Sequence, residues 1–369
     1  MPIYPRIYTA AALIAVSASA AWLSGCEAPK QAPPAAPAAP TLPAEMPAAA
    51  ESAPAESMTA TLRKPAGLPA PVGSTPAYGD TLYVRLPVEM KDLNPLNTPD
   101  FYAQRAVSNI FDSLLWRDPL TLELQPHIAE SWEAAADHLS YTFKIRDGVT
   151  FSDGTPLTAD DVKFTYDKMM DPKTDCPDIR GYYQDVTSCE IVAPNTVRFG
   201  CSKPFFLHEV MLGDLPVLPK HIYAEGDFND SMRHRKPVGS GPYLLEGWEA
   251  NQQITYARNK SYWGDTLGRG GHIDKLVWRI VTDDNAAMQL ALRGEIDAIK
   301  LLPKQWVGAA KTPEFEAQFN KFAYDTPAFW YIGWNQRKPF FADKNVRRAM
   351  TMMLDRETIR EKILHGLAE

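Results

Sequence analysis

The chain has 369 residues, 38 lysines and arginines against 45 aspartates and glutamates, and a formal net charge of −7. With no basic block to reverse that balance, it argues against nucleic acid or an anionic membrane surface as the main partner. The short Arg233-His234-Arg235-Lys236 cluster reads as a loop, and the four cysteines have no zinc-site spacing, so no metal or cofactor is expected.

The first 25 residues read as a targeting segment. Arg6 supplies the positive region, and Tyr8 to Trp22 is mostly Ala, Leu, Ile and Val, too short to span a bilayer. Leu23-Ser24-Gly25-Cys26 follows, and it resembles a bacterial lipoprotein box, which implies a mature protein lipidated at Cys26 and anchored to a membrane. An ordinary secretory signal is the competing reading. Residues 26–77 are rich in Pro, Ala, Ser and Glu, have almost no large apolar side chains and cannot bury a core, so they read as a disordered tether.

From Tyr78 the chain turns globular. Leu82–Leu86 reads as a strand, and the Asn94-Pro95 turn follows. The stripe Phe101, Val107, Ile110, Phe111, Leu114 and Leu115 reads as one amphipathic helix. Leu139, Tyr141, Phe143 and Ile145 alternate like a half-buried strand, with turns at Asp147-Gly148 and Asp153-Gly154. Thr158 and Asp161 start a helix whose stripe is Val162, Tyr166, Met169 and Met170, and Asp171-Pro172 ends it. Ile191–Phe199 reads as a hairpin turning at Pro194-Asn195. A three-residue loop there would make Cys189 and Cys201 face each other, as a disulfide or as packed thiols, with Cys176 a competing partner. Strands at Tyr243–Trp248, Gln252–Ala257, Leu276–Val281 and Ile296–Ile299, a helix at about Asn285–Arg293 capped by Gly294, and helices at Val346–Leu354 and Glu357–Leu364 complete the reading.

The segment Ala129–Met170 closely resembles the signature region of the family 5 bacterial extracellular solute-binding proteins, the peptide-binding components of ATP-binding-cassette importers. Further strings occur in the family's order: Leu93-Asn94-Pro95-Leu96, Val238-Gly239-Ser240-Gly241-Pro242-Tyr243, Ala257 to Trp263, Gly294-Glu295-Ile296-Asp297, and Pro339-Phe340-Phe341-Ala342-Asp343 through Val346-Arg347-Arg348-Ala349. The resemblance implies a two-lobed α/β periplasmic-binding-protein-like fold. Domain I would be discontinuous (78–120 and 238–322), domain II inserted (121–237), and domain III begun at 323–369 and truncated, since family members continue considerably further. It also implies a monomeric binding protein on the periplasmic or extracytoplasmic face of the membrane that delivers peptides to permease subunits.

By position in the family pattern, Asp100, Phe101 and Tyr102 after the first strand, and Phe329 and Trp330 at the passage into domain III, are the candidate ligand-binding residues. Asp100 would meet a cationic group and the aromatics would form walls. Tyr182 and Tyr183 are weaker candidates. Phe101 also reads as the start of a helix stripe, and Phe329 as strand core. No nucleophile elbow, phosphate loop, dinucleotide fingerprint or paired-histidine zinc motif occurs. Asp160-Asp161 and Asp283-Asp284 read as helix-start charges, so no enzymatic activity is expected. Two alternatives stay open: a non-peptide solute such as a nickel complex or oligosaccharide on the same fold, and a lipid-anchored secreted hydrolase.

Overall fold

The computed structural model describes residues 78–97, 101–119, 121–230, 233–323 and 331–367, nearly all of them in one compact unit. Residues 1–77, with Cys26 and the tether, lie outside this range.

Two four-stranded sheets organise this unit. The first joins distant pieces of chain: β1 (Gly79–Leu86) pairs in parallel with β10 (Ile273–Ile280), which continues antiparallel to β9 (Gln253–Arg258) and β8 (Tyr243–Glu249). The second is antiparallel and local, in the order β4 (Ala129–Ala134), β5 (Ser140–Ile145), β7 (Thr196–Cys201) and β6 (Val186–Ala193). Between them in sequence, β2 (Leu115–Arg117) and β3 (Leu124–Pro126) form a small antiparallel pair. Tyr141, Phe143 and Ile145 of β5 are buried, as their alternation requires, while Leu139 lies outside the strand and is exposed.

Helix α2 (Ala159–Met170) covers the second sheet. Val162, Tyr166 and Met169 point inward and are worth about 1.5–3 kcal/mol each by burial. The Tyr166 ring meets Phe199 edge-on at 5.8 Å, and its hydroxyl donates to the Val186 carbonyl at 2.8 Å. The helix start differs in detail from the expectation. Asp161 reaches back to accept from the Thr158 N–H at 2.9 Å and from its hydroxyl at 3.1 Å, and its other oxygen accepts from the Lys220 N–H at 2.9 Å. This buried carboxylate therefore ties the helix to the start of the short helix Lys220–Tyr223.

The stripe running from Phe101 to Leu115 does not form one helix. Helix α1 covers only Phe101–Val107, and β2 begins at Leu115. The carbonyls that a longer helix would use internally are taken from outside: Ile110 accepts from the Gly241 N–H at 2.7 Å and Asn109 from the Tyr243 N–H at 3.0 Å. Backbone approaches backbone so closely that a Cβ on Gly241 would lie 2.6 Å from the Ile110 carbonyl, so glycine is required there.

Two further expectations are corrected. Residues 296–299 make one parallel bridge, Val84 to Ala298, instead of a strand, because the Asp297 carboxylate takes the Tyr83 N–H at 2.8 Å and occupies a ladder position. The hairpin closes with Ala193 opposite Thr196, and Asn195 has φ +53°. That two-residue loop, with register shifts between Ile191 and Ala193 and between Val186 and Ser188, puts Cys189 opposite Phe199 and Cys201 opposite Val186, so the two cysteines do not face each other, and Cys176, Cys189 and Cys201 are all free thiols. Burial pushes Cys189 up to about 12 and Cys201 up to about 11, which holds both as unreactive thiols.

Tyr256 lies fully buried in β9 against Trp278, its ring edge-on at 5.7 Å, and its hydroxyl has no hydrogen-bond partner among the described residues. A buried donor left unmade costs free energy that phenylalanine would not incur. Tyr256→Phe is expected to raise the urea midpoint, by up to about 1 kcal/mol of stability. A loss above that amount would show that the hydroxyl is satisfied.

The described C-terminal part, 331–367, holds no buried residue. Its main helix, Lys344–Met352, starts at Asp343, whose carboxylate accepts from the Asn345 N–H at 2.7 Å. Phe340, Met352 and Met353 are each more than 60% exposed there.

Candidate functional site

The segment leaving β1 is fixed before it reaches the candidate residues. Met90, Leu93 and Leu96 are buried, and two Asx turns shape the path: Asp92 accepts from the Asn94 N–H at 3.1 Å, and Asn94 from the Leu96 N–H at 2.9 Å. Remote residues hold it in place. Glu89 accepts from the Trp248 indole N–H at 3.0 Å and from the Asn251 backbone N–H. Arg235 lies over the Trp248 ring at 4.4 Å and donates to the Lys91 carbonyl at 3.1 Å, while the His234 carbonyl accepts from the Leu93 N–H at 3.3 Å. His234, within the cluster that reads as a loop, is fully buried. It stacks on Tyr223 at 5.3 Å and donates from Nε2 to the Phe228 carbonyl at 2.7 Å.

This anchored segment leads to α1, where Phe101 and Tyr102 stand edge to face with ring centroids 5.4 Å apart, both partly exposed. Ala103, Ala106 and Val107 face the core. One turn on, the Arg105 guanidinium lies 5.8 Å from the Phe101 ring and 5.8 Å from the Trp278 ring. The arrangement presents aromatic surface with a cation beside it. Arg105 escaped the sequence reading because its second ring, Trp278, sits far away in β10. Asp100, Phe329 and Trp330 lie outside the described residues. Of the weaker candidates, Tyr182 is exposed, whereas Tyr183 belongs to the core and donates to the Met211 carbonyl.

The paired carboxylates have structural partners. Asp160 meets Lys220 at 3.2 Å, Asp283 caps its helix by accepting from the Ala286 N–H at 2.7 Å, and Asp284 meets Arg85 at 2.6 Å. Two surface hollows of about 380 and 420 Å³, beside Gly294 and Asn320 and beside Thr158 and Lys220, do not include Phe101 or Tyr102. Both are shallow and open, so the aromatic pair on its anchored segment is the better candidate. Among the described residues no helix is long and apolar enough to cross a membrane, and no group of three His, Cys, Asp or Glu is placed to hold a metal ion.

The sequence profile of the bacterial extracellular solute-binding proteins, family 5 (Middle), matches residues 123–369. The chain belongs to this family. Members are solute-binding rather than catalytic proteins. Oligopeptide-binding protein AppA from Bacillus subtilis is 32% identical over 280 residues, covering 72% of this chain and 48% of AppA. Protein XP55 from Streptomyces lividans is 31% identical over 268 residues, covering 72% of this chain and 47% of XP55. The chain thus spans about half the length of these relatives. The structure of AppA in complex with a nonapeptide superposes with a TM-score of 0.69 at 29% identity, over 79% of this chain and 57% of that one. A periplasmic oligopeptide-binding protein from Thermotoga maritima, bound to mannohexaose, superposes with a TM-score of 0.65 at 26% identity, over 80% and 55%. The fold is therefore that of the two-lobed α/β periplasmic binding proteins of family 5.

Proposed function

We propose that this family 5 protein captures peptides between two lobes and hands them to the permease of an ATP-binding-cassette importer, while held at the extracytoplasmic face of a membrane by a lipid on Cys26. In this reading residues 78–120 and 238–322 build one domain, 121–237 an inserted one, and 323–369 the start of a third, and the protein works as a monomer. Phe101 and Tyr102 line the cleft, Asp100 receives a cationic group of the ligand, and Phe329 and Trp330 form the facing wall.

The observation that carries this reading is the similarity to AppA, in sequence and to its nonapeptide complex. The partly exposed Phe101 and Tyr102 pair, on a helix whose Ala103, Ala106 and Val107 are buried, fits it, since a wall held by the core loses little order on binding. The mannohexaose-bound structure favours a second reading, an oligosaccharide ligand, because sugar faces also pack on aromatic rings.

A peptide library and a set of oligosaccharides, titrated calorimetrically into the full chain, separate the two. We expect peptide binding that weakens at least roughly tenfold, about 1.4 kcal/mol, in Phe101→Ala/Tyr102→Ala. Sugar binding with no peptide binding would establish the second reading.

A further inference from the structure

A histidine without polar partners lies beyond the end of β7. His208 opens the short helix His208–Gly213 and is fully buried. Neither of its ring nitrogens has a hydrogen-bond partner among the described residues. What the ring meets is aromatic: Tyr141 of β5 edge-on at 6.2 Å, and Phe205 edge-on at 5.4 Å.

The charged and titratable groups around it are engaged elsewhere. Asp185 and Lys203 act on the ring through space but pair with each other at 3.2 Å. Glu209, the next residue in the helix, accepts from the Trp132 indole N–H at 2.5 Å. Burial pushes the Tyr141 hydroxyl up, with Cys201 and Glu209 adding to the effect, so it stays protonated. A neutral imidazole in this site leaves one donor and one acceptor unmade. An imidazolium would bring two donors and a full charge, and an unpaired buried charge costs far more than an unmade dipole contact. Burial accordingly holds the His208 imidazole below its ordinary value of about 6.5, while Asp185 pulls it up and Lys203 pushes it down by lesser amounts. The stability that rests on the neutral ring is therefore complete above about pH 6.5, and it is lost as the pH falls from there toward the folded-state value.

We propose that His208 is an acid-operated latch on the segment 202–213: the closed structure takes only the neutral ring, and protonation selects forms in which this segment has opened and the ring has reached water. The route out is short. Phe205, one of the two rings against the imidazole, is 37% exposed, and Phe206, with its ring 4.9 Å from that of Phe205, is 83% exposed. Other bonds hold the helix, Glu209 to Trp132 and the Tyr183 hydroxyl to the Met211 carbonyl, and they resist opening. They give the ring no acceptor, so they cannot accommodate its charge. Acid thus acts through the burial of the ring itself and needs no single contact to break first. Opening also rearranges the Phe205–Phe206 pair, so the exposed aromatic surface beside β7 depends on pH. The inference holds whichever solute the protein binds.

Hydrogen exchange followed by mass spectrometry on the full chain, corrected for intrinsic rates, tests it. From pH 7.0 to 5.5, protection of 202–213 should fall at least roughly threefold further in wild type than in His208→Leu, whose apolar side chain fills the site and does not titrate; one unit of differential proton affinity corresponds to about tenfold. Equal falls in the two proteins would overturn the proposal. Should the variant not fold, the imidazole ¹⁵N signals of the wild-type protein at pH 6.0 decide independently. A His208 ring more than half neutral supports the latch, and a ring half or more protonated refutes it.

Discussion

Asp112→Ala should lower stability by roughly 3–5 kcal/mol at pH 7.5, seen as a large fall in the urea midpoint. The carboxylate is buried and serves three partners: the Tyr262 hydroxyl, the Trp263 indole and His127. Its removal takes this acceptor from the hydroxyl and the imidazole, although the indole keeps the Ser240 carbonyl at 3.0 Å. It also strips the nearby carboxylate from the Arg269 charge. Asp112→Asn keeps the shape and one acceptor oxygen and should cost about half as much. A loss below about 1 kcal/mol in the alanine variant would mean that water replaces the carboxylate and that the junction is wetter than its burial implies.

A second large effect is expected at the glycines that meet α1's end. A Cβ at Gly241 would fall 2.6 Å from both the carbon and the oxygen of the Ile110 carbonyl and 2.8 Å from the Asn109 oxygen, and one at Gly239 would overlap the same carbonyl. Those are backbone atoms held by the Gly241 and Tyr243 hydrogen bonds, so no side chain can swing aside. Gly241→Ala should cost about 3 kcal/mol or more, at the upper end of overpacking effects. Gly247→Ala in β8 is the matched control. Nothing lies within 4 Å of its added carbon, and its urea midpoint should stay within about 0.5 kcal/mol of wild type. Equal losses at the two positions would show that backbone entropy, rather than close approach, sets the cost.

What could be read in advance depended on where each residue's partners lie in the sequence. The β5 alternation of Tyr141, Phe143 and Ile145 and the α2 stripe of Val162, Tyr166 and Met169 follow from period and burial alone, so they were legible. The end of α1 was not, because the groups that capture the Asn109 and Ile110 carbonyls come from Gly241 and Tyr243, more than 130 positions away. Register posed the same problem on a shorter scale. One residue fewer in the Pro194-Asn195 loop and two register shifts along the hairpin changed which residues Cys189 and Cys201 oppose, and no composition signal fixes a loop to one residue or places such shifts. At the candidate site, Phe101 and Tyr102 were found through family order. Glu89, Arg105 and the His234–Arg235 turn were missed because their roles come from Trp248, Trp278, Tyr223 and the backbone of residues 91–93, all distant in sequence.

The most direct test of the peptide-capture reading is a native mass spectrum of the protein purified from its own host, followed by gentle release and fragmentation of whatever it carries. The account predicts an adduct in the short-peptide mass range that leaves intact and fragments as amino-acid residues. An adduct that fragments as sugars, or a chain that carries none and takes up none from a peptide pool, would contradict it.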